Sequence, residues 1–117
     1  MPKYMMLLRD EGADFSQYTA HQFEELLGGY SKWTKDLSSK GYLIAGEKLK
    51  DDGGKTLRSL KGDTTTHGQY SSKAAETIGG FYLITAGDYD EALKLGRGCP
   101  TLSYGGSVEV REIESME

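Results

Sequence analysis

Apolar residues run unbroken from position 4 to position 8 and stop at Arg9 and Asp10, which predicts a first strand over residues 4–9 with apolar side chains on both faces. Residues 10–14 then read as a loop. Thr19-Ala20-His21-Gln22 has the form of a capping box, in which hydroxyl and amide satisfy each other's backbone donors, so a helix starts here. Phe23, Leu26, Leu27, Tyr30, Trp33, Thr34 and Leu37 recur at helical spacing, and Gly41 follows Lys40 as a stop signal. The result is an amphipathic helix of about five turns. Gly28 and Gly29 lie inside it at a cost of roughly 1 kcal/mol each against alanine. They read as tolerated surface positions, as a close contact with a partner subunit, or as a bend.

Residues 42–49 and 55–60 are strand-like and flank Lys50-Asp51-Asp52-Gly53-Gly54, a hairpin signal between strands two and three. Residues 61–78 carry little apolar periodicity and read as a long loop, and loops of that length are usually functional or disordered. Residues 80–86 form the most strand-like stretch of the chain. Asp88-Tyr89-Asp90-Glu91 opens a second, short helix, acidic in its first turn as the helix dipole favours, which Gly98 and Pro100 close. Residues 107–113 alternate apolar and charged, as a strand with one wet face or an edge does.

The order β-α-β-β-β-α-β, with the long loop before the fourth strand, predicts an α+β fold of the ferredoxin-like kind: an antiparallel sheet with both helices on one face. Tyr4, Met6 and Leu8 alternate with Met5 and Leu7, and Phe81, Leu83 and Thr85 alternate with Tyr82, Ile84 and Ala86. Two strands are therefore apolar on both faces while the helices cover one. A second subunit packing sheet against sheet supplies the missing cover, so a homodimer is expected.

Composition narrows the class. The chain of 117 residues suits one domain spanning 1–117. Its 14 Lys+Arg against 18 Asp+Glu give a net charge of -4, with no basic run longer than two residues, so nucleic-acid binding is not expected. The opening apolar run of five residues is too short for a signal peptide or a membrane span. A lone Cys99 forms no internal disulfide and no CxxC clip, which suits a reducing cytosol, so a cytoplasmic protein without a membrane partner is expected. The glycines are turn punctuation between patterned segments.

The segments KYMMLLRD, GYLIAGEKLK, ETIGGFYLI, DYDEALKLGRGCP and GSVEVREI together resemble the YCII-related family, specifically its DGPF-domain branch, over nearly the whole length. The resemblance implies a ferredoxin-like fold that dimerises into an α+β barrel, with a pocket lined by the sheet and the long loop. Relatives in the wider superfamily include isomerases, monooxygenases and dehalogenases acting on small, often aromatic acids. The YCII-related proteins themselves mostly have no established reaction. In that family an Asp or His facing the pocket is suspected of acid–base work. The signature Asp-Gly-Pro-Phe should fall just before Glu76, where this chain has His67-Gly68-Gln69-Tyr70. With a one-residue insertion between Tyr70 and Glu76, His67 takes the place of the acid and Tyr70 that of the aromatic. Without it, Gly68 falls at the Asp position and the acid is gone.

His67 has an unperturbed pKa near neutrality, and Glu76 just before the strand can orient it or act as the base. The plainer account makes His67 a solvated turn residue and Glu76 a carboxylate that caps amides or pairs with a lysine. His21 falls on the wet face of its helix. No spacing of metal ligands stands out, so no metal or cofactor is expected. Gly53-Gly54-Lys55-Thr56 lacks the earlier glycine of a phosphate loop and leads into a strand, not a helix. Members of the family it resembles often carry this or a similar pair at the place of Cys99 and Pro100, which favours packing over catalysis. Arg9 at the end of the first strand is a candidate carboxylate anchor, and Glu47 is an acid in an otherwise apolar run that needs solvent or a partner. With Tyr70 and Tyr82 they make up the expected ligand pocket, while Tyr4, Tyr82 and Tyr104 can each place a hydroxyl in the barrel, core packing being their plainer job. The expected function is binding of a small organic molecule in a dimer pocket. The alternatives are an isomerase- or lyase-type enzyme using His67 and Glu76 on a small organic acid, and a structural or protein-interaction module with an exposed edge at 107–113.

Overall fold

A computed structural model describes residues 1–10, 15–50, 54–60, 62–67 and 77–116. Along the chain the elements are β1 (Lys3–Asp10), α1 (Ala20–Ser39), β2 (Leu43–Lys48), β3 (Thr56–Leu60), β4 (Asp63–His67), β5 (Thr77–Thr85), α2 (Tyr89–Gly96), a 3-10 helix (Pro100–Tyr104) and β6 (Ser107–Glu112). Four of the strands make one sheet in the order β2-β5-β1-β6. Every neighbouring pair is antiparallel. With two helices this is the ferredoxin-like α+β arrangement. β6 lies at one edge of the sheet, as its alternation predicts, and β2 at the other.

The helix ends follow the chemistry of their residues. The Gln22 N–H donates to the Thr19 hydroxyl at 3.1 Å, and the Thr19 N–H donates to the Gln22 side-chain oxygen at 2.9 Å. The capping box thus forms as predicted. At the other end Gly41 takes a φ of +81°, and the N–H groups of Gly41 and Tyr42 return to the carbonyls of Ser38 and Leu37. That is a Schellman stop, which needs a residue free to adopt left-handed backbone. α2 is too short to persist alone in water. It is held by an Asp88 cap on the Glu91 N–H at 2.9 Å and by its packing on the sheet.

Both helices lie on one face. Strand alternation puts Tyr4, Met6, Leu8, Tyr82 and Ile84 on that side. The Trp33 ring of α1 sits 4.6 Å from that of Tyr82, and the Tyr89 ring of α2 4.9 Å from that of Tyr4. The Trp33 indole N–H donates to the Leu95 carbonyl at 3.0 Å and ties the two helices together. Tyr4, Met6, Leu8, Trp33, Leu37, Ile84, Ala86, Ala92 and Cys99 form the buried core. The opposite face carries Met5, Leu7, Phe81 and Leu83, partly buried by their neighbours and without a described helix over them.

Three readings of the sequence need correction. The hairpin is not between β2 and β3: β3 pairs with β4 in a separate two-stranded sheet, and β2 pairs with β5. The chain reverses between the paired Leu60 and Asp63, where Gly62 supplies a φ of +87°. Residues 61–78 are not one loop either. β4 is built on Thr64-Thr65-Thr66, whose β-branched side chains favour extended backbone without leaving an apolar pattern to detect. β5 begins at Thr77, before Gly80, and the register against β1 shifts between Leu8 and Arg9, which accommodates the glycine pair as a bulge. Of the two α1 glycines, Gly28 faces open space, while a Cβ at Gly29 would sit 3.4 Å from Pro100 of the same chain.

Candidate functional site

The apolar stripe of α1 divides in two. Its C-terminal half, Trp33 and Leu37, is buried against the sheet, but Phe23 and Leu27 in the N-terminal half remain 40% and 53% exposed. Beneath that half lies a cavity of about 350 Å³. Its roof is Phe15, Phe23, Leu26, Leu27 and Tyr30, and its floor is the end of the sheet at Leu8, Asp10, Gly46, Gly79, Gly80 and Tyr82. Thr101 and Tyr104 of the 3-10 helix close one end. Three of the floor positions are glycine, and two of them let a neighbour come close. A Cβ at Gly46 would meet the Tyr82 ring at 3.0 Å, and one at Gly80 would meet the Glu47 carbonyl at 3.1 Å.

Phe15 is the centre of an aromatic cluster, with edge-on ring contacts to Tyr18, Phe23 and Tyr104 at 5.1, 5.8 and 5.3 Å. Polar atoms in the cavity wall are paired with one another. The Tyr30 hydroxyl meets the Thr101 hydroxyl at 2.5 Å and is also hydrogen-bonded to the Tyr104 hydroxyl. Burial, chiefly, raises the Tyr30 pKa far above the ordinary tyrosine value. Tyr30 therefore keeps its proton and cannot serve as a base at neutral pH. Next to Thr101, burial likewise raises the Cys99 thiol, partly offset by hydrogen bonds from the side chain and backbone N–H of Thr101. At the other side the Tyr82 hydroxyl pairs with that of Thr34 at 2.6 Å.

Of the residues singled out in the sequence, Tyr82 and Glu47 border this cavity. Tyr82 contributes its ring, whereas Glu47 pairs with Phe81 at a strand position alternate to Gly46 and Lys48, and brings its carbonyl close to Gly80. Arg9 is not in the lining; its guanidinium is bound to Glu109 of β6 at 3.1 Å. His67 is the last residue of β4, opposite Thr56. Glu76 and Tyr70 lie outside the described residues. His21 pairs with Glu25 at 2.8 Å on the exposed face of α1. Among the described residues, no group of three His, Cys, Asp or Glu is placed to hold a metal ion, and no helix is long and apolar enough to cross a membrane.

Sequence reasoning missed Phe15, Phe23, Tyr30 and Thr101 as cavity residues. Phe15 stands outside any periodic element, and Phe23 and Tyr30 sit on a helical stripe that reads as core. One signal was available: the apolar stripe continues an aromatic residue, Phe15, before the helix cap, and the strands carry Gly46 and the pair Gly79-Gly80, which have no side chains to pack against it. Compared with known sequences, residues 2–117 match the model of the YCII-related domain. No curated protein matches the chain.

Proposed function

Because the chain belongs to the YCII-related family, in which no reaction follows from membership alone, we propose that it is a binding protein for a small aromatic molecule held in the cavity under α1. The observation that carries this reading is the cavity itself: five aromatic rings, Phe15, Phe23, Tyr30, Tyr82 and Tyr104, around about 350 Å³ of space that the chain leaves unfilled. A space of that size, apolar with a few convergent hydroxyls, is the usual form of a small-molecule site. The test uses toluene, p-cresol and 4-methylbenzoate with ligand-observed NMR and calorimetry. At least one is expected to bind, and Leu26→Trp, which fills the roof, weakens that binding at least about tenfold without lowering the melting temperature. Absence of binding by all three, or binding that Leu26→Trp leaves unchanged, refutes the reading.

Within the family we assign the chain to the DGPF-domain branch, on Glu76-x-x-Gly79-Gly80-Phe81-Tyr82 followed by Asp90-Glu91-Ala92-Leu93 and Val108-Glu109-Val110-Arg111. The assembly we propose is a homodimer formed through the helix-free face of the sheet. Met5, Leu7, Phe81 and Leu83 support it, because a contiguous apolar patch of this kind on one face marks an interaction surface. Light scattering after size exclusion is expected to give twice the chain mass for the wild type and the single chain mass for Phe81→Glu, with an unchanged far-UV spectrum. A wild-type monomer at micromolar concentration sinks the dimer.

A further inference from the structure

Three hydroxyls form a continuous line along the cavity wall. The Thr101 hydroxyl meets that of Tyr30 at 2.5 Å, Tyr30 is hydrogen-bonded to Tyr104, and all three residues line the cavity. Each hydroxyl has one proton to give and lone pairs to accept. With the line running one way, Tyr104 donates to Tyr30 and Tyr30 to Thr101, which leaves Tyr104 an acceptor. With the line reversed, Thr101 donates to Tyr30 and Tyr30 to Tyr104, which leaves Tyr104 a donor. Both directions satisfy every inner member, so neither strands a buried polar group.

We propose that Tyr104 is the polar anchor of the cavity and that it takes the uncharged hydroxyl of a phenol, a group that can itself donate or accept. This rests on the ligand-binding reading and specifies its chemistry. Charge argues against a carboxylate in the same place. Asp10 and Glu47 border the cavity, and the one basic residue in its described lining, Lys48, donates its ammonium to the Leu49 carbonyl at 2.9 Å. An anion entering here would meet the Asp10 carboxylate beside Gly79 and lose water without a guanidinium to replace it. A phenol keeps its ring against Phe15 and Phe23 and trades one water hydrogen bond for one to Tyr104.

The probes are p-cresol, toluene and 4-methylbenzoate, which share one body and differ in the polar group. For the wild type, p-cresol is expected to bind roughly five- to tenfold tighter than toluene, the worth of one neutral hydrogen bond, with 4-methylbenzoate the weakest. Tyr104→Phe should bring p-cresol to the toluene level and leave toluene unchanged. Tyr30→Phe, which breaks the line but keeps the Tyr104 hydroxyl, should lose only part of the preference. Equal binding of p-cresol and toluene, a preference that survives Tyr104→Phe, or tightest binding by 4-methylbenzoate would each overturn the assignment while the cavity remains a ligand site. If none of the three binds, the assignment and the ligand-binding reading fall together. The wild-type ranking decides the matter even where a variant folds poorly.

Discussion

Met6→Ala is expected to destabilise the protein by roughly 2–5 kcal/mol, the range for emptying a fully buried large side chain. Met6 is 0% exposed on β1, an inner strand of the sheet, where it pairs with Tyr82 on one side and Val110 on the other. A Cβ on Gly96 of α2 would lie 3.6 Å from its methyl group, so helix and strand already meet closely at this point. Neither neighbour can follow a retreating side chain: the strand is hydrogen-bonded on both edges, and Gly96 has no side chain to extend. Leu7→Ala, one residue away and on the other face, should behave differently. Its cost should fall on the proposed dimer and vary with protein concentration, whereas that of Met6→Ala should not. Urea denaturation at two protein concentrations separates them, and a cost below about 1 kcal/mol for Met6→Ala would contradict this account of the core.

The second large effect is expected at Gly106. A Cβ there would stand 2.6 Å from the Arg9 carbonyl and 2.9 Å from the Thr101 carbonyl, and would also strike the Thr101 side chain. Two of these three contacts are backbone, and the Gly106 N–H already donates to the Thr101 carbonyl at 3.1 Å. The strain cannot be relieved by turning a rotamer. Overpacking of this kind costs roughly 1–3 kcal/mol and sometimes more, and Gly106→Ala belongs at or above the top of that range. Gly28→Ala is the control of opposite sign. It faces open space inside α1 and should stabilise the protein by up to about 1 kcal/mol. If Gly106→Ala unfolded within about 0.5 kcal/mol of the wild type, the tight approach of the 3-10 helix to β1 would be wrong.

The candidate site was only partly legible before the fold was known. Tyr82 stood out as an aromatic on a strongly predicted strand, and Tyr104 as a hydroxyl that could enter the barrel. Phe23 and Tyr30 carried the same helical period as Trp33 and Leu37, and period alone cannot tell which half of a stripe meets protein and which meets space. Thr101 had no local signal, and Phe15 had only its place before the helix cap. Their importance comes from contacts with residues far along the chain, Tyr104 for the one and Tyr30 for the other.

What local chemistry settles in this chain is the existence of most elements and where the helices end. The Thr19 and Gln22 pair, the Gly41 stop and the Asp88 cap act within a few residues and form as their residue types demand. Alternation along β1 and β5 likewise settles that the sheet is apolar on both faces. Strand pairing is different, because hydrogen-bonding edges are shared across the whole chain. β2 pairs with β5 and keeps its other edge at the rim of the sheet, while the strand after Asp-Gly-Gly pairs with β4, a partner written in threonines that hydrophobic period does not register. The cavity was decided later still, when glycines of β2 and β5 came to lie under the first turns of α1. An empty volume is a property of how elements meet, and no single segment encodes it.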